Sequence, residues 1–332
     1  MRNKKKNRNY YIDNIRGLAT ISVVFIHTVF WSGSSYVPEY MRNLSLLIDV
    51  PIFFLLTGML MSVVKNINPI KQVTKLIFSF FILVLAYQIL FMDININNLF
   101  SALFFYNAVL DKFPVVSGSY WFVPVYVIAL LVSYMLIKQY SPKKLFIAII
   151  LIFFYYLFTY FTKIEINFYN FNYSILFFIS CILIGYLGAM KKYKYLYIVL
   201  SLVSILIYLF IYLSKKIVLQ DYKFPVGIPY VVASMISLFL ILHFFHKSTF
   251  LNLKIPILSF VGCNSLYFYM SQGIGASILF YILPFLKFSW QLKMIFAFII
   301  NIIASLIIGY LFIWVEKQFN KIIRRGNLNV ES

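Results

Sequence analysis

The sequence predicts an all-α, polytopic integral membrane protein with about ten transmembrane helices. Three observations carry that prediction. The 332 residues are 63% hydrophobic, 20% aromatic and only 11% charged, which is more apolar surface than a soluble domain of this length buries. The apolar residues fall into runs long enough to span a bilayer, separated by short polar stretches. The basic residues, which give a net charge of +20, punctuate those runs instead of forming one face. That pattern is a topology signal, not a nucleic-acid surface.

Ten spans are drawn at about 15–31, 44–64, 73–92, 119–137, 144–162, 173–190, 195–213, 227–246, 256–284 and 293–315, with ends good to ~2–4 residues. The ninth is overlong and is expected to break near Gly273–Gly275 or Pro284. The leading MRNKKKNRN imitates the start of a secretory signal, but no small-residue cleavage site follows the apolar run and His27 interrupts it. An uncleaved anchor is expected.

An even number of spans puts both termini on one side. With the termini inside, 21 Lys and Arg fall on the inner face and eight on the outer: Arg42, Lys112, Lys163, Lys215, Lys216, Lys223, Lys287 and Lys293. This asymmetry predicts cytoplasmic termini, with tails at about 1–14 and 317–332. Three lysines at Lys215–Lys223 run against the trend. No linker, low-complexity stretch or repeat is visible, so residues 1–332 are expected to form a single membrane domain. The wealth of Ile, Lys, Asn, Phe and Tyr fits an AT-rich bacterial coding sequence, and a bacterial plasma membrane is the expected location.

The first span, YIDNIRGLATISVVFIHTVFW, carries Asp13, Arg16 and His27. Arg16 and His27 are eleven residues apart, three helical turns plus only ~20°, so they share a face at ~16 Å along the axis. Arg16 then sits at one membrane surface and His27 well inside a hydrocarbon core of ~30 Å. Asp13 precedes Arg16 by three residues and can pair with it. Ionisable groups within a bilayer are costly enough to point to function. The alternative is a helix start with its usual positive flank and a histidine satisfied by a neighbouring helix.

Arginine, ten residues and then histidine, set in D-x-I-R-G-L-x-x-x-x-V-V-x-x-H, resembles the opening helix of the acyltransferase-3 family, polytopic enzymes that modify cell-surface glycans and other extracytoplasmic acceptors. The resemblance implies acyl transfer from a cytosolic acyl-CoA, with acetyl-CoA as the expected donor substrate, no bound cofactor and no metal. Arg16 would clamp donor phosphates bidentately, oriented by Asp13. His27 would act as general base on an acceptor hydroxyl or as a transient acyl carrier.

Later segments extend the likeness. Val50-Pro51-Ile-Phe-Phe-Leu-Leu-Thr-Gly58 resembles the family's second-helix motif, in which paired phenylalanines precede a Ser/Thr-Gly. Many relatives have an acid where Pro51 stands, whereas the branch of small sugar O-acetylases tends to keep the proline. Asp49, two residues earlier, lies at about the depth of His27 and is a candidate to orient and charge-stabilise it; the alternative is an interfacial aspartate facing water. Gly118-Ser-Tyr-Trp-Phe-Val-Pro124 resembles the family's W-F motif and offers Tyr120 and Trp121 for an acceptor cleft, or for an interfacial aromatic belt.

Phe260-Val-Gly-Cys-Asn-Ser-Leu-Tyr-Phe-Tyr-Met-Ser-Gln272 resembles a late motif in which Gly262, Ser265 and Tyr269 match. Gln272 stands where many members have histidine, and glutamine hydrogen-bonds but shuttles no proton near neutral pH. Tyr269 and Gln272 join the candidate cleft. Glu316 matches a glutamate near the family's C-terminus, or is an interfacial acid beside Lys317. His243 and His246 lie three apart near a helix end and complement that end more readily than they bind a metal. Cys181 and Cys263 suggest neither a disulfide nor a metal site.

The function expected is O-acetylation of a surface or capsular polysaccharide, or of its lipid-linked precursor. The partners expected are acyl-CoA, a glycan and the lipid bilayer, with no nucleic acid. A polysaccharide or lipid transporter would also use intramembrane charges and aromatic grooves, and a non-catalytic partner of a glycan synthase would need none of these residues.

Overall fold

The computed structural model describes residues 9–31, 36–64, 67–92, 94–103, 112–119, 121–162, 174–190, 194–215, 217–248 and 250–330. Tyr120 and the expected N-terminal tail up to residue 8 lie outside them. The described elements are helical: α1 (Tyr10–Trp31), α2 (Glu39–Ser45), α3 (Pro51–Val63), α4 (Pro69–Phe91), α5 (Ile96–Leu103), α6 (Pro114–Ser119), α7 (Phe122–Gln139), α8 (Pro142–Thr162), α9 (Ser174–Met190), α10 (Lys194–Lys215), α11 (Ile228–Lys247), α12 (Pro256–Cys263), α13 (Ser265–Ile282) and α14 (Trp290–Val330).

Among the described residues, eight helices are long and apolar enough to cross a membrane: α1, α4, α7, α8, α10, α11, α13 and α14. Two of the ten expected spans are shorter apolar helices, α3 with 13 residues and α9 with 17. At 1.5 Å per residue they are ~20 and ~26 Å long, under the ~30 Å of a hydrocarbon core. α3 begins only at Pro51, which occupies the first turn, where its missing N–H costs nothing. The expected stretch before it is the end of α2 and a turn at 46–50.

The ninth span breaks at Asn264, not at Gly273–Gly275. Asn264 leaves the helical region (φ −113°, ψ 21°) between α12 and α13, and α13 runs through both glycines. Those glycines serve contact: a Cβ on Gly275 would fall 2.3 Å from Asn301 Oδ1, and one on Gly273 would fall 2.9 Å from a Val116 methyl. Pro284 marks the other end, inside a 3₁₀ turn at Leu283–Phe285.

The chain forms two compact units. The first comprises Met1–Ser22, Pro38–Lys75 and Tyr120–Gly262. Its centre is α3 against α9, and Phe54 stacks on Phe178 with ring centroids 4.5 Å apart. Cβ atoms on Gly58 and Gly185 would meet the carbonyl oxygens of Ile182 and Leu55 at 1.9 and 2.1 Å. Small residues let the two backbones touch, as membrane helices do where the hydrophobic effect between them is weak. Gly58, singled out by the family likeness, thus serves packing.

The start of α1 is held in the same way. A Cβ on Gly17 would strike the Leu258 carbonyl oxygen at 2.1 Å, and one on Gly262 the Asp13 carbonyl oxygen at 1.8 Å. Buried Asn14 donates from Nδ2 to the carbonyls of Leu251 (2.9 Å) and Leu253 (2.8 Å) and accepts from Ser259 Oγ (2.7 Å). Its amide is well satisfied, which is what a buried polar group requires.

The second unit comprises Val23–Val37, Leu76–Ser119 and Cys263–Ser332. Here Asn301 of α14 donates to Val24 O (3.3 Å) and Thr28 Oγ1 (3.0 Å) on α1 and accepts from Ser305 Oγ. Ser271 Oγ of α13 donates to the Ser305 carbonyl at 2.9 Å. α6 runs along α13: Tyr269 donates to Ser119 O, and the Val115 N–H donates to Ser277 Oγ.

Candidate functional site

α1 is one unbroken helix from Tyr10 to Trp31, so Arg16 and His27 hold their eleven-residue register on one helical face. Asp13, Arg16 and His27 are half-buried, and the Nδ1 of His27 is fully shielded.

In the first unit Asp49 is buried in the turn before α3, which removes the alternative of a carboxylate facing water. Its Oδ2 lies 2.7 Å from Lys223 Nζ and accepts a 2.7 Å hydrogen bond from Tyr230 OH. The ammonium of Lys223 also lies over the Trp121 ring at 5.7 Å, with Phe224 and Tyr230 rings at 5.7 and 6.0 Å. Cation–π attraction and the ion pair together compensate the burial of a charge that would otherwise be costly.

Trp121 caps the start of α7 and packs edge-on against Phe224 at 4.5 Å. The segment carrying Lys223 is fixed from its other end by Asn43, which donates to Ile217 O and accepts from the Leu219 N–H. Ser22 Oγ donates to Ile48 O at 2.7 Å, holding the Asp49 turn against α1.

Sequence reasoning missed Lys223 and Tyr230. One signal was available: Lys223 belongs to the lysine group that breaks the charge asymmetry, and a basic residue that violates topology is a candidate for an internal counter-ion. As a buried partner of Asp49, it no longer counts among the surface charges.

In the second unit, Glu316 accepts a hydrogen bond from Tyr267 OH, two residues after the family-matched Ser265, which is half-buried. This gives Glu316 a structural partner beyond its place beside Lys317. Tyr269 is half-buried and tied to Ser119 O at 3.0 Å. Gln272 is fully buried on α13.

In the first unit, the ring N–H of His246 donates to Gly188 O at 2.8 Å near the C-terminus of α9 and stacks on Tyr197. His243 is buried in α11. Among the described residues no group of three or more His, Cys, Asp or Glu could hold a metal ion. Among the described residues neither Cys181 nor Cys263 forms a disulfide.

Eight helices long and apolar enough to cross a bilayer, with polar side chains buried among them, define a multi-pass membrane protein. The profile of the acyltransferase-3 family, described as an acyltransferase domain, matches residues 9–314. The chain belongs to that family, and its class is membrane acyltransferase. No curated protein and no solved structure matches it.

Proposed function

We propose that the protein transfers acetyl groups from acetyl-CoA to hydroxyls of a bacterial surface or capsular polysaccharide, or of its lipid-linked precursor, in the plasma membrane with both termini cytoplasmic. The observation that carries the proposal is α1: a guanidinium and an imidazole on one face of an unbroken helix, ~16 Å apart, inside the family-matched span.

Arg16 binds donor phosphates at the cytoplasmic side, with Asp13 orienting it. His27 takes the proton of the acceptor hydroxyl as the oxygen attacks the thioester carbonyl. The C–S bond then breaks, and the departing thiolate receives that proton. Trp121, Tyr120, Tyr269 and Gln272 are the residues assigned to acceptor recognition. The charge-stabilising role expected of Asp49 towards His27 stays part of the proposal, and its pair with Lys223 adds a structural one.

The test is mass analysis of surface glycan from a strain lacking the gene. Loss of ester-linked acetyl groups with normal polymer export is expected; unchanged acetylation overturns the proposal. The donor role is tested with purified protein and acetyl-CoA. Arg16→Lys retains charge but loses the bidentate fork. KM for acetyl-CoA should rise at least ~10-fold, the worth of one charge-assisted hydrogen bond. An unchanged KM reduces Arg16 to a topology-setting charge.

A further inference from the structure

Gln272 is 0% exposed, and among the described residues neither its Oε1 nor its Nε2 has a hydrogen-bond partner. Leaving a buried amide unsatisfied forfeits its solvation with nothing in return, and nearly all buried polar groups in proteins avoid it. Nearby polar side chains on the same helix are satisfied: Ser271 bonds Phe268 O and Ser305 O, Tyr269 bonds Ser119 O, and Ser277 bonds Gly273 O. The unsatisfied amide is therefore local to Gln272.

Its surroundings follow from its neighbours within the second unit. Tyr269 and Gly275 lie three residues to either side, so they flank Gln272 at ~60° around the helix. On the Tyr269 side stands α6, whose Gly118 abuts the Trp31 ring: a Cβ there would lie 2.6 Å from it. On the Gly275 side stands Asn301, which bonds Val24 O and Thr28 Oγ1. α1 thus reaches both flanks through Val24, Thr28 and Trp31. His27 lies between these contacts in the chain, ~60° from Val24 and ~40° from Trp31 around α1. The helix turns on both sides of Gln272 thus pack, through α6 and Asn301, against the half of α1 that carries His27.

We propose that Gln272 is a catalytic residue whose amide N–H binds the oxyanion formed during acyl transfer. The assignment rests on the acyl-transfer chemistry proposed above. When the acceptor oxygen attacks, the thioester carbonyl electrons move onto oxygen, and a donor already aimed there stabilises the charge without reorganising. In a low-dielectric site such a donor is worth ~10²–10³ in kcat. A primary amide suits the task because it donates without exchanging the proton that His27 handles. The same amide left without a partner at rest is what a donor reserved for the transition state would show.

The test uses purified full-length protein in lipid nanodiscs with acetyl-CoA, reading thiol release with polysaccharide from the deletion strain as acceptor. Gln272→Leu should lower kcat ~10²–10³-fold while KM for acetyl-CoA and for the glycan stays within ~3-fold, because only transition-state binding is lost. Gln272→Glu keeps the shape but replaces the donor with an acceptor and should be at least as inactive. Gln272→His restores an N–H donor and should exceed both. Normal kcat in Gln272→Leu overturns the assignment, as does a rise in glycan KM alone. If Gln272→Leu does not fold, the other two decide: Gln272→Glu as active as Gln272→His overturns it. These results are read only in an active wild type in which His27→Gln is dead, so failure of the acyl-transfer proposal is seen separately.

Discussion

His27→Gln is expected to yield protein that is made and inserted normally but leaves exported polysaccharide without O-acyl groups. Glutamine approximates the size of imidazole and still hydrogen-bonds, so a histidine that only packs or donates would tolerate the change. A general base would not, since its contribution is typically ~10²–10⁴-fold, enough to remove detectable ester. The half-buried position of the ring makes the substitution sterically mild. Quantifying ester-bound acetate on polymer from cells carrying the variant checks this. A transporter would give less polymer outside with its decoration unchanged, and full acylation in the variant strain rules out a catalytic His27.

Lys223→Met should strongly destabilise the first unit. The ammonium is the partner of the buried Asp49 carboxylate at 2.7 Å, and removing one side of a buried pair costs about 3–5 kcal/mol because the other charge is stranded. The cost lies in the stranded charge, so Asp49→Asn combined with Lys223→Met should recover most of it while still offering Tyr230 an acceptor. Thermal melts of the purified variants in detergent, followed through tryptophan fluorescence, measure both. A double variant as unstable as Lys223→Met alone would show that the pair contributes through packing and not through charge.

Much of the architecture was legible because membrane insertion is a local property. Each apolar run had to be about as long as a bilayer is thick, and helix after helix follows those runs. The register of Arg16 and His27 was legible for the same reason, since it depends on one helix only. The break at Asn264 was not. Glycine and proline signal flexibility locally, yet Gly273 and Gly275 are held helical by what packs on them, and that information lies on α6 and α14.

The ion pair was hidden for a related reason. Asp49 and the Tyr230 that shares its oxygen are 181 residues apart, and no periodicity links such positions. Asn14 filled a variable place in the first-helix motif, and nothing nearby announced that it would bond two carbonyls more than 230 residues later. Gln272 stood out only as a departure from a pattern. Its unsatisfied amide became visible once the surrounding hydrogen bonds could be counted.

The shortness of α3 bears on how the protein is made. A 13-residue apolar segment is a weak substrate for insertion by itself, because the favourable transfer of each residue is small and a full span needs ~20 of them. Its residues Pro51–Met59 are buried against protein, chiefly against α9, which leaves the ribosome more than a hundred residues later. The start of α1 likewise waits for the carbonyls of Leu251 and Leu253. The nascent chain therefore cannot mature hairpin by hairpin as it emerges. Its early segments must be kept in the membrane in a provisional state until the last quarter of the chain arrives, and a premature stop anywhere before Leu251 would leave Asn14 unanchored.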